Sequence, residues 1–284
     1  MEHVSATGGR AMPAHSIEAR ASQRAFFGVS ALLFAVSTAV TIAGAASMSA
    51  MGEMPMPGGW TMSAAWMPMC GQTWSGLAAS FLGMWVVMMV AMMLPSLVPM
   101  LRRYRDAVGG TGGKGVTGLG WLTTVVGLGY FFVWTAFGIV AFPLGVALAA
   151  LEMQQPALAR AVPLAVGVIV LIAGALQFTA WKARRLACCR ATPGRCLMSP
   201  ALPADAATAW RHGLQLGLHC SYCCAGLTIV LLVAGVMDLR VMAVVTAAIT
   251  VERLAPRGDR AARVIGAGIV GAGVLLIARA VGLG

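Results

Sequence analysis

The sequence HGLQLGLHCSYCC, residues 212–224, stands at the start of an apolar run long enough to cross a membrane. It puts two imidazoles and three thiols on one predicted helix, where lipid tolerates few polar groups. At about 100° per residue, His212, His219 and Cys223 fall within an arc of roughly 40°, and Cys220 and Cys224 form the neighbouring ridge. Ionisable side chains inside a membrane usually face a bundle interior or a cavity. We therefore expect the chemistry of the chain here.

The composition is typical of a membrane protein, with 59% hydrophobic residues, 10% charged residues and 35 glycines in 284 residues. It predicts an all-α fold, a polytopic transmembrane helix bundle of about seven spans, with a cytosolic tail at 1–24 and a single embedded domain at 25–284. The net charge of +11 could suggest nucleic acid in a soluble protein, but the basic residues lie between apolar runs, so no nucleic-acid partner is expected. The seven cysteines are clustered, which favours free thiols or metal ligands over a disulfide framework.

The predicted spans cover about 25–46, 77–101, 121–148, 162–181, 212–236, 239–254 and 264–283. The first is read as an uncleaved span, with a cleaved signal peptide as the alternative. Of the 20 basic residues, all but Arg160, Arg240 and Arg279 fall in the tail or in loops assigned to the cytosol. This asymmetry predicts a bacterial-type inner membrane protein with its N-terminus in the cytosol and its C-terminus outside.

A methionine-rich outer loop is predicted at 47–75, and it contains no Lys or Arg. Thioethers are soft donors that suit Cu(I), and the close spacing would let a flexible loop wrap one ion. The alternative is an amphipathic stretch whose Met and Trp side chains anchor it in the membrane interface. The candidate ligands are Met54, Met56, Met67, Met69 and Cys70.

The second span carries a methionine stripe, Met88, Met89, Met92 and Met93. It lies at the same depth as Cys223 and Cys224, about eleven residues into each span, so a thiolate and thioether site between the two helices would favour Cu(I). The alternative for the methionines is core filling.

Within the fifth span, Cys220 with Cys223 or Cys224 could chelate one ion, because side chains at i and i+3 or i+4 meet on a helix. His219 would lie beside this pair. His212, about 16 Å from Cys223, would be a separate ligand or a proton acceptor nearer the cytosol. The alternative is that the cysteines pack as small hydrophobes.

Two further features remain open. A cytosolic loop predicted at 182–211 carries Cys188, Cys189 and Cys196, which are either a docking point for a soft metal or ordinary reduced thiols. Glu252, near the end of the sixth span, either pairs with Arg253, Arg211 or His212 or takes part in metal or proton transfer.

Several motifs together resemble domain-of-unknown-function family 2182, predicted metal-binding integral membrane proteins sometimes labelled copper chaperones. They are WVVMMVAMMLPS at 85–96, K-x5-CC at 182–189, HG at 212–213, C-x-x-CC at 220–224, GVM at 235–237 and E-R-L at 252–254. The similarity spans about residues 60 to 275. It implies a membrane location and metal binding, but it implies no reaction.

These features predict a membrane protein that binds a soft metal, Cu(I) above all, and exchanges it with a copper-donating or copper-accepting protein. A membrane thiol–disulfide oxidoreductase and a metal-free subunit of a larger complex are the alternatives. No motif indicates a nucleotide, a haem or a catalytic nucleophile. The sequence leaves the direction of transfer, any catalytic activity and the oligomeric state open.

Overall fold

Helices form most of the part of the chain that the structure describes. The computed structural model describes residues 14–50, 52–63, 66–68, 71–109, 116–190, 205–236 and 238–282. Within those residues the elements are α1 (Ala14–Ala50), β1 (Glu53–Met56), β2 (Trp60–Ser63), α2 (Trp74–Gly109), α3 (Val116–Gln154), α4 (Pro156–Leu176), α5 (Ala180–Arg190), α6 (Ala206–Ala234), α7 (Leu239–Leu254) and α8 (Gly258–Ala280). The prediction of a helical bundle is confirmed.

Among the described residues, six helices are long and apolar enough to cross a membrane: α1, α2, α3, α4, α6 and α8. The chain is therefore a multi-pass membrane protein. α7 has the bounds predicted for the sixth span, but it is only 16 residues long. At 1.5 Å per residue it extends about 24 Å, which is less than the ~30 Å hydrocarbon core of a bilayer. The predicted seven spans correspond to six full-length helices and this shorter one.

α3 and α6 run parallel and cross at glycines. Val126 lies against Gly213, and Tyr130, one turn further along α3, lies against Gly217. A Cβ added to Gly217 would be 2.9 Å from the carbonyl oxygen of Tyr130, and one added to Gly213 would overlap the carbonyl oxygen of Val126. Only glycine allows the two backbones to come this close. The crossing brings Tyr130 next to the cysteine-bearing part of α6.

α4 and α8 pack closely in antiparallel orientation. Gly174 faces Gly266, and Gly167 faces Ile277. α4 reverses the direction of α3 after a one-residue connection at Gln155. Because α6 is parallel to α3, and α8 is antiparallel to α4, α8 runs in the same direction as α6. The short helix α7 therefore carries the chain back from the end of α6 to the start of α8.

Three predicted segments differ in the structure. The tail at 1–24 is helical from residue 14, as the first part of α1. The methionine-rich loop at 47–75 contains the antiparallel hairpin β1–β2, in which Met54 pairs with Met62. The loop at 182–211 begins inside α5 and ends inside α6, because α5 packs back onto α6 and α7 instead of extending away from the bundle.

α2 and α6 are the central helices. Half of the apolar window of α2 and 44% of that of α6 is buried, against 17% for α1, α3 and α8. The two helices that carry the predicted methionine and cysteine ligands are therefore the ones most shielded from lipid.

Candidate metal centre

The three cysteines of α6 are buried side by side. Cys220, Cys223 and Cys224 are each 1% exposed, and all three are free thiols. The side chain of Cys224 hydrogen-bonds with those of Cys220 and Cys223. The C-x-x-CC spacing accounts for the contact between Cys220 and Cys224, because side chains at i and i+4 meet on a helix. The thiols therefore face the interior of the bundle.

A fourth thiol reaches this group from α5. The side chain of Cys189 hydrogen-bonds with that of Cys223, and its Sγ donates to the carbonyl oxygen of His219 at 3.4 Å. Cys189 is buried, as is Leu186 one turn earlier, and this apolar side holds α5 against the bundle. We call Cys189, Cys220, Cys223 and Cys224 the thiol cluster.

A phenol and a guanidinium border the thiol cluster. The hydroxyl oxygen of Tyr130 in α3 is 2.8 Å from Sγ of Cys220. Arg253 of α7 is buried, and its charge interacts with Cys220, Cys224 and Tyr130. Its Nη1 donates to Oγ of Ser96 in α2 at 3.1 Å, whereas Nε and Nη2 have no hydrogen-bond partner within the described part of the chain. The thiols thus lie beside a permanent cation in an apolar interior.

A buried ion pair borders the thiol cluster at Cys223. Nζ of Lys182 in α5 is 2.6 Å from Oε2 of Glu252 in α7, and it donates to the carbonyl oxygen of Cys223 at 2.7 Å. Glu252 was expected to pair with Arg253, Arg211 or His212. The structure gives it a salt bridge with Lys182, because α5 folds back over α6 and α7, and the charge of Arg253 also acts on it. The ion pair ties these three helices together at the level of Cys223.

The methionine stripe is buried in the same core cluster as the thiols of α6. Met88, Met89, Met92 and Met93 are between 1% and 3% exposed. α2 packs mainly on α1, α3 and α7, and α3 and α7 also contact α6. The thioethers and thiols therefore belong to one continuous interior, and the direct ligand role of the methionines stays a prediction.

The rings of the two histidines contact groups outside the thiol cluster, and their role as ligands stays a prediction. The ring of His212 is buried and stacks on that of Tyr104, with ring centroids 5.3 Å apart. Nδ1 of His219 is 2.9 Å from the carbonyl oxygen of Gln215 in its own helix. His219 therefore contributes its backbone carbonyl to the environment of Cys189, and its ring remains at the edge of the site.

The hairpin β1–β2 gathers methionines at the far end of α3. Met56 and Met62 are buried against Ala149 and Ala159, and Met67 packs partly against the same cluster. Nε1 of Trp60 donates to the carbonyl oxygen of Ala159 at 2.9 Å, which fixes the hairpin on the bundle. Met54 is 46% exposed and remains accessible. The segment is thus an ordered hairpin with a methionine face, where a flexible loop was expected.

Three candidate ligands, Met69, Cys70 and Cys196, lie outside the described residues. In the part of the chain that the structure describes, no group of three or more His, Cys, Asp or Glu side chains is arranged to hold a metal ion. A site in the thiol cluster would therefore use fewer protein ligands of these types or would draw on thioethers.

Sequence reasoning missed Tyr130, Lys182 and Arg253 as neighbours of the site. Two signals were available: the chain has only three tyrosines, and Arg253 directly follows the carboxylate that was singled out. Both Lys182 and Arg253 were assigned to cytosolic loops on the basis of charge. The structure buries both within the bundle, at 4% and 6% exposure.

The fold and the buried sulfur groups define a multi-pass membrane protein with a candidate site for a soft metal. A family model described as copper chaperone, PpoB2, matches residues 82–276. The chain belongs to this family, so the resemblance to a copper-chaperone family is confirmed. The matched part includes the methionine stripe, the thiol cluster and Arg253, but not the hairpin. No curated protein and no solved structure matches the chain.

Proposed function

We propose that this protein binds Cu(I) at the thiol cluster and exchanges it with a copper-donating or copper-accepting protein. The observation that carries the proposal is the series of contacts that joins four buried thiols from two separate helices, from Cys189 through Cys223 and Cys224 to Cys220. Family membership gives the chain a copper-related role, and the cluster supplies a place for the ion.

The chemistry of the cluster favours a soft, monovalent ion. Thiolate and thioether ligands select Cu(I) over harder divalent ions. Thiols release their protons when they bind a metal, and the ion offsets the charge that would otherwise be costly in an apolar interior. Cu(I) is held well by two sulfur ligands, so the site needs no three-ligand group.

α3 contacts, along its length, the hairpin, the methionine-bearing helix α2 and the thiol cluster. The methionine face of the hairpin packs on Ala149, Trp85 of α2 donates to the carbonyl oxygen of Trp134 at 2.8 Å, and Tyr130 contacts Cys220. From residue 149 to residue 130 an α-helix extends about 28 Å. We infer a path in which the hairpin collects the ion at one face, the methionine stripe relays it and the thiol cluster holds it.

α5 supplies the other end of the path. Cys189 contacts Cys223 inside the bundle. The adjacent Cys188 is partly exposed and lines a surface depression with Trp181, Arg184 and Arg185. This arrangement supports ligand exchange from the cluster, through Cys189, to a thiol of a soluble partner that docks at α5.

We place the protein in a bacterial-type inner membrane with the N-terminus and α5 on the cytosolic side and the C-terminus and hairpin outside. The basic residues of the sequence favour this orientation. The common direction of α6 and α8 supports the placement of the two termini on opposite sides of the membrane, because α7 then acts as the return traverse between them.

The test is the copper content of protein purified under reducing, anaerobic conditions and loaded with Cu(I). The triple variant C220S/C223S/C224S should lose the bound copper. C188S, which changes a thiol outside the cluster, should keep it. Equal copper in the wild type and the triple variant would refute the proposal.

A second candidate function is thiol–disulfide exchange with a partner protein. The contact between Cys189 and Cys223, which come from different helices, favours it. In that case C189S would trap a mixed disulfide between Cys223 and a cysteine of the partner. Chelation of copper would leave the activity unchanged, whereas a copper-handling protein would lose its function.

A further inference from the structure

Arg253 is a buried cation with unused hydrogen-bond donors. It is 6% exposed, one nitrogen donates to Ser96, and Nε and Nη2 have no hydrogen-bond partner among the residues that the structure describes. An arginine inside a membrane bundle normally pairs with an anion or with backbone carbonyls, because a lone charge there is costly. The adjacent carboxylate, Glu252, is held by Lys182 at 2.6 Å. The unused donors of Arg253 therefore point to an anion that arrives with a ligand.

The groups with which the charge of Arg253 interacts identify this anion. They are Cys220, Cys224, Tyr130 and Cys223. Cys220 hydrogen-bonds with Cys224 one turn later on α6 and with the hydroxyl of Tyr130. Protonated thiols are neutral and do not balance the charge of the guanidinium. Ionised thiols would balance this charge and accept its hydrogen bonds.

We propose that Arg253 is the built-in counter-ion of a Cu(I) dithiolate formed by Cys220 and Cys224, and that its charge gives the site its preference for a monovalent ion. This inference rests on the proposed function, because it assumes that the thiol cluster binds Cu(I). Arg253 acts here as a positioning residue and does not itself coordinate the ion.

The preference follows from the balance of charge. When the two thiols bind Cu(I), they release two protons, and the complex carries one net negative charge. The guanidinium of Arg253 brings the total to zero. A divalent ion such as Zn(II) on the same two thiolates would leave one net positive charge in an apolar interior. The copper stays Cu(I) throughout, so no oxidant or reductant is required.

The experiment measures Cu(I) and Zn(II) affinity in detergent by competition with bicinchoninate for Cu(I) and with a chromophoric chelator for Zn(II). For two unit charges about 5 Å apart in a protein interior, loss of the counter-ion should weaken Cu(I) binding on the order of 100-fold. We expect this loss in Arg253→Met. Arg253→Lys keeps the charge and should bind within about tenfold of the wild type. Arg240→Met, at an exposed position of the same helix, is the matched control and should bind like the wild type.

The preference for Cu(I) over Zn(II) distinguishes charge balance from a purely structural role. Arg253→Met should lower the Cu(I) affinity and leave the Zn(II) affinity unchanged or higher. Adding Cys224→Met to Arg253→Met makes the complex neutral again and should recover part of the Cu(I) affinity. If Arg253→Met is not monodisperse in detergent, Arg253→Gln takes its place.

Three results would overturn the inference: Cu(I) binding that is unchanged in Arg253→Met, equal losses for both metals, or failure of Arg253→Lys to rescue. Each of these outcomes leaves the proposed function intact as long as the wild type binds Cu(I). A wild type that binds no Cu(I) would overturn both.

Discussion

Replacing Lys182 with methionine removes one partner of the buried ion pair and keeps the length of the side chain. Nζ of Lys182 is 2.6 Å from Oε2 of Glu252, and the two side chains are 5% and 1% exposed. The same nitrogen donates to the carbonyl oxygen of Cys223 at 2.7 Å. The substitution therefore leaves the carboxylate of Glu252 buried without its salt-bridge partner. It also removes the hydrogen bond that joins α5 to the Cys223 carbonyl in α6.

The distance between Lys182 and Glu252 sets the expected loss in the free energy of unfolding. At 2.6 Å and an effective dielectric constant of about 20, the bare attraction is roughly 6 kcal/mol, which is an upper bound. Loss of one partner of a buried pair typically costs about 3–5 kcal/mol, because the other charge stays in the interior. We expect Lys182→Met to lower the free energy of unfolding by that amount. The double variant K182M/E252M, which removes both charges, should stay within about 1 kcal/mol of the wild type.

The assay is reversible unfolding in mixed micelles with increasing SDS, followed by far-UV circular dichroism. Arg184→Met, at an exposed position of the same helix, is the control and should unfold like the wild type. Alkylation of Cys189 should be faster in Lys182→Met, because α5 opens more often. The reasoning would be refuted if Lys182→Met matched the wild type or if the double variant were as unstable as the single one.

Three further predictions concern packing, the phenol and thiol access. Gly213→Ala should destabilise the bundle by about 1–3 kcal/mol, because the added methyl group overlaps α3, whereas Gly268→Ala has open space around its Cβ and should be neutral. Equal stability of the two variants would contradict the close glycine crossing of α3 and α6. Tyr130→Phe should weaken Cu(I) binding about tenfold in a chelator competition, because the thiolate of Cys220 loses its hydrogen bond from the Tyr130 hydroxyl. An unchanged affinity would show that this hydroxyl does not support the site. A hydrophilic maleimide should label Cys188 in the folded protein and the thiol cluster only after unfolding. Labelling of the cluster in the folded protein would contradict its burial.

Hydropathy was enough to predict the bundle, because each long helix carries an apolar run that lipid requires. The bounds of α7, Leu239–Leu254, match those of the predicted sixth span. The proximity of Cys220 and Cys224 also follows from sequence, since their spacing is one helical turn. These features depend on local periodicity alone.

The rest depends on contacts between distant parts of the chain. The segment around Lys182 is strongly basic and was read as a loop, but a carboxylate 70 residues later holds the lysine inside. Cys189 joins the thiol cluster only because α5 folds back in this way. The hairpin does not follow from the sequence, because Pro55 lies within β1, where proline argues against a strand, and because the hairpin is held in place by packing on α4.

X-ray absorption at the copper edge of the Cu(I)-loaded protein tests the central claim most directly. We predict one copper per chain, in the Cu(I) state, with sulfur as its only neighbouring ligand type and without histidine nitrogen. The signal should disappear in C220S/C224S and persist in C188S. A nitrogen or oxygen ligand shell, or a copper signal that survives C220S/C224S, would contradict the proposed site.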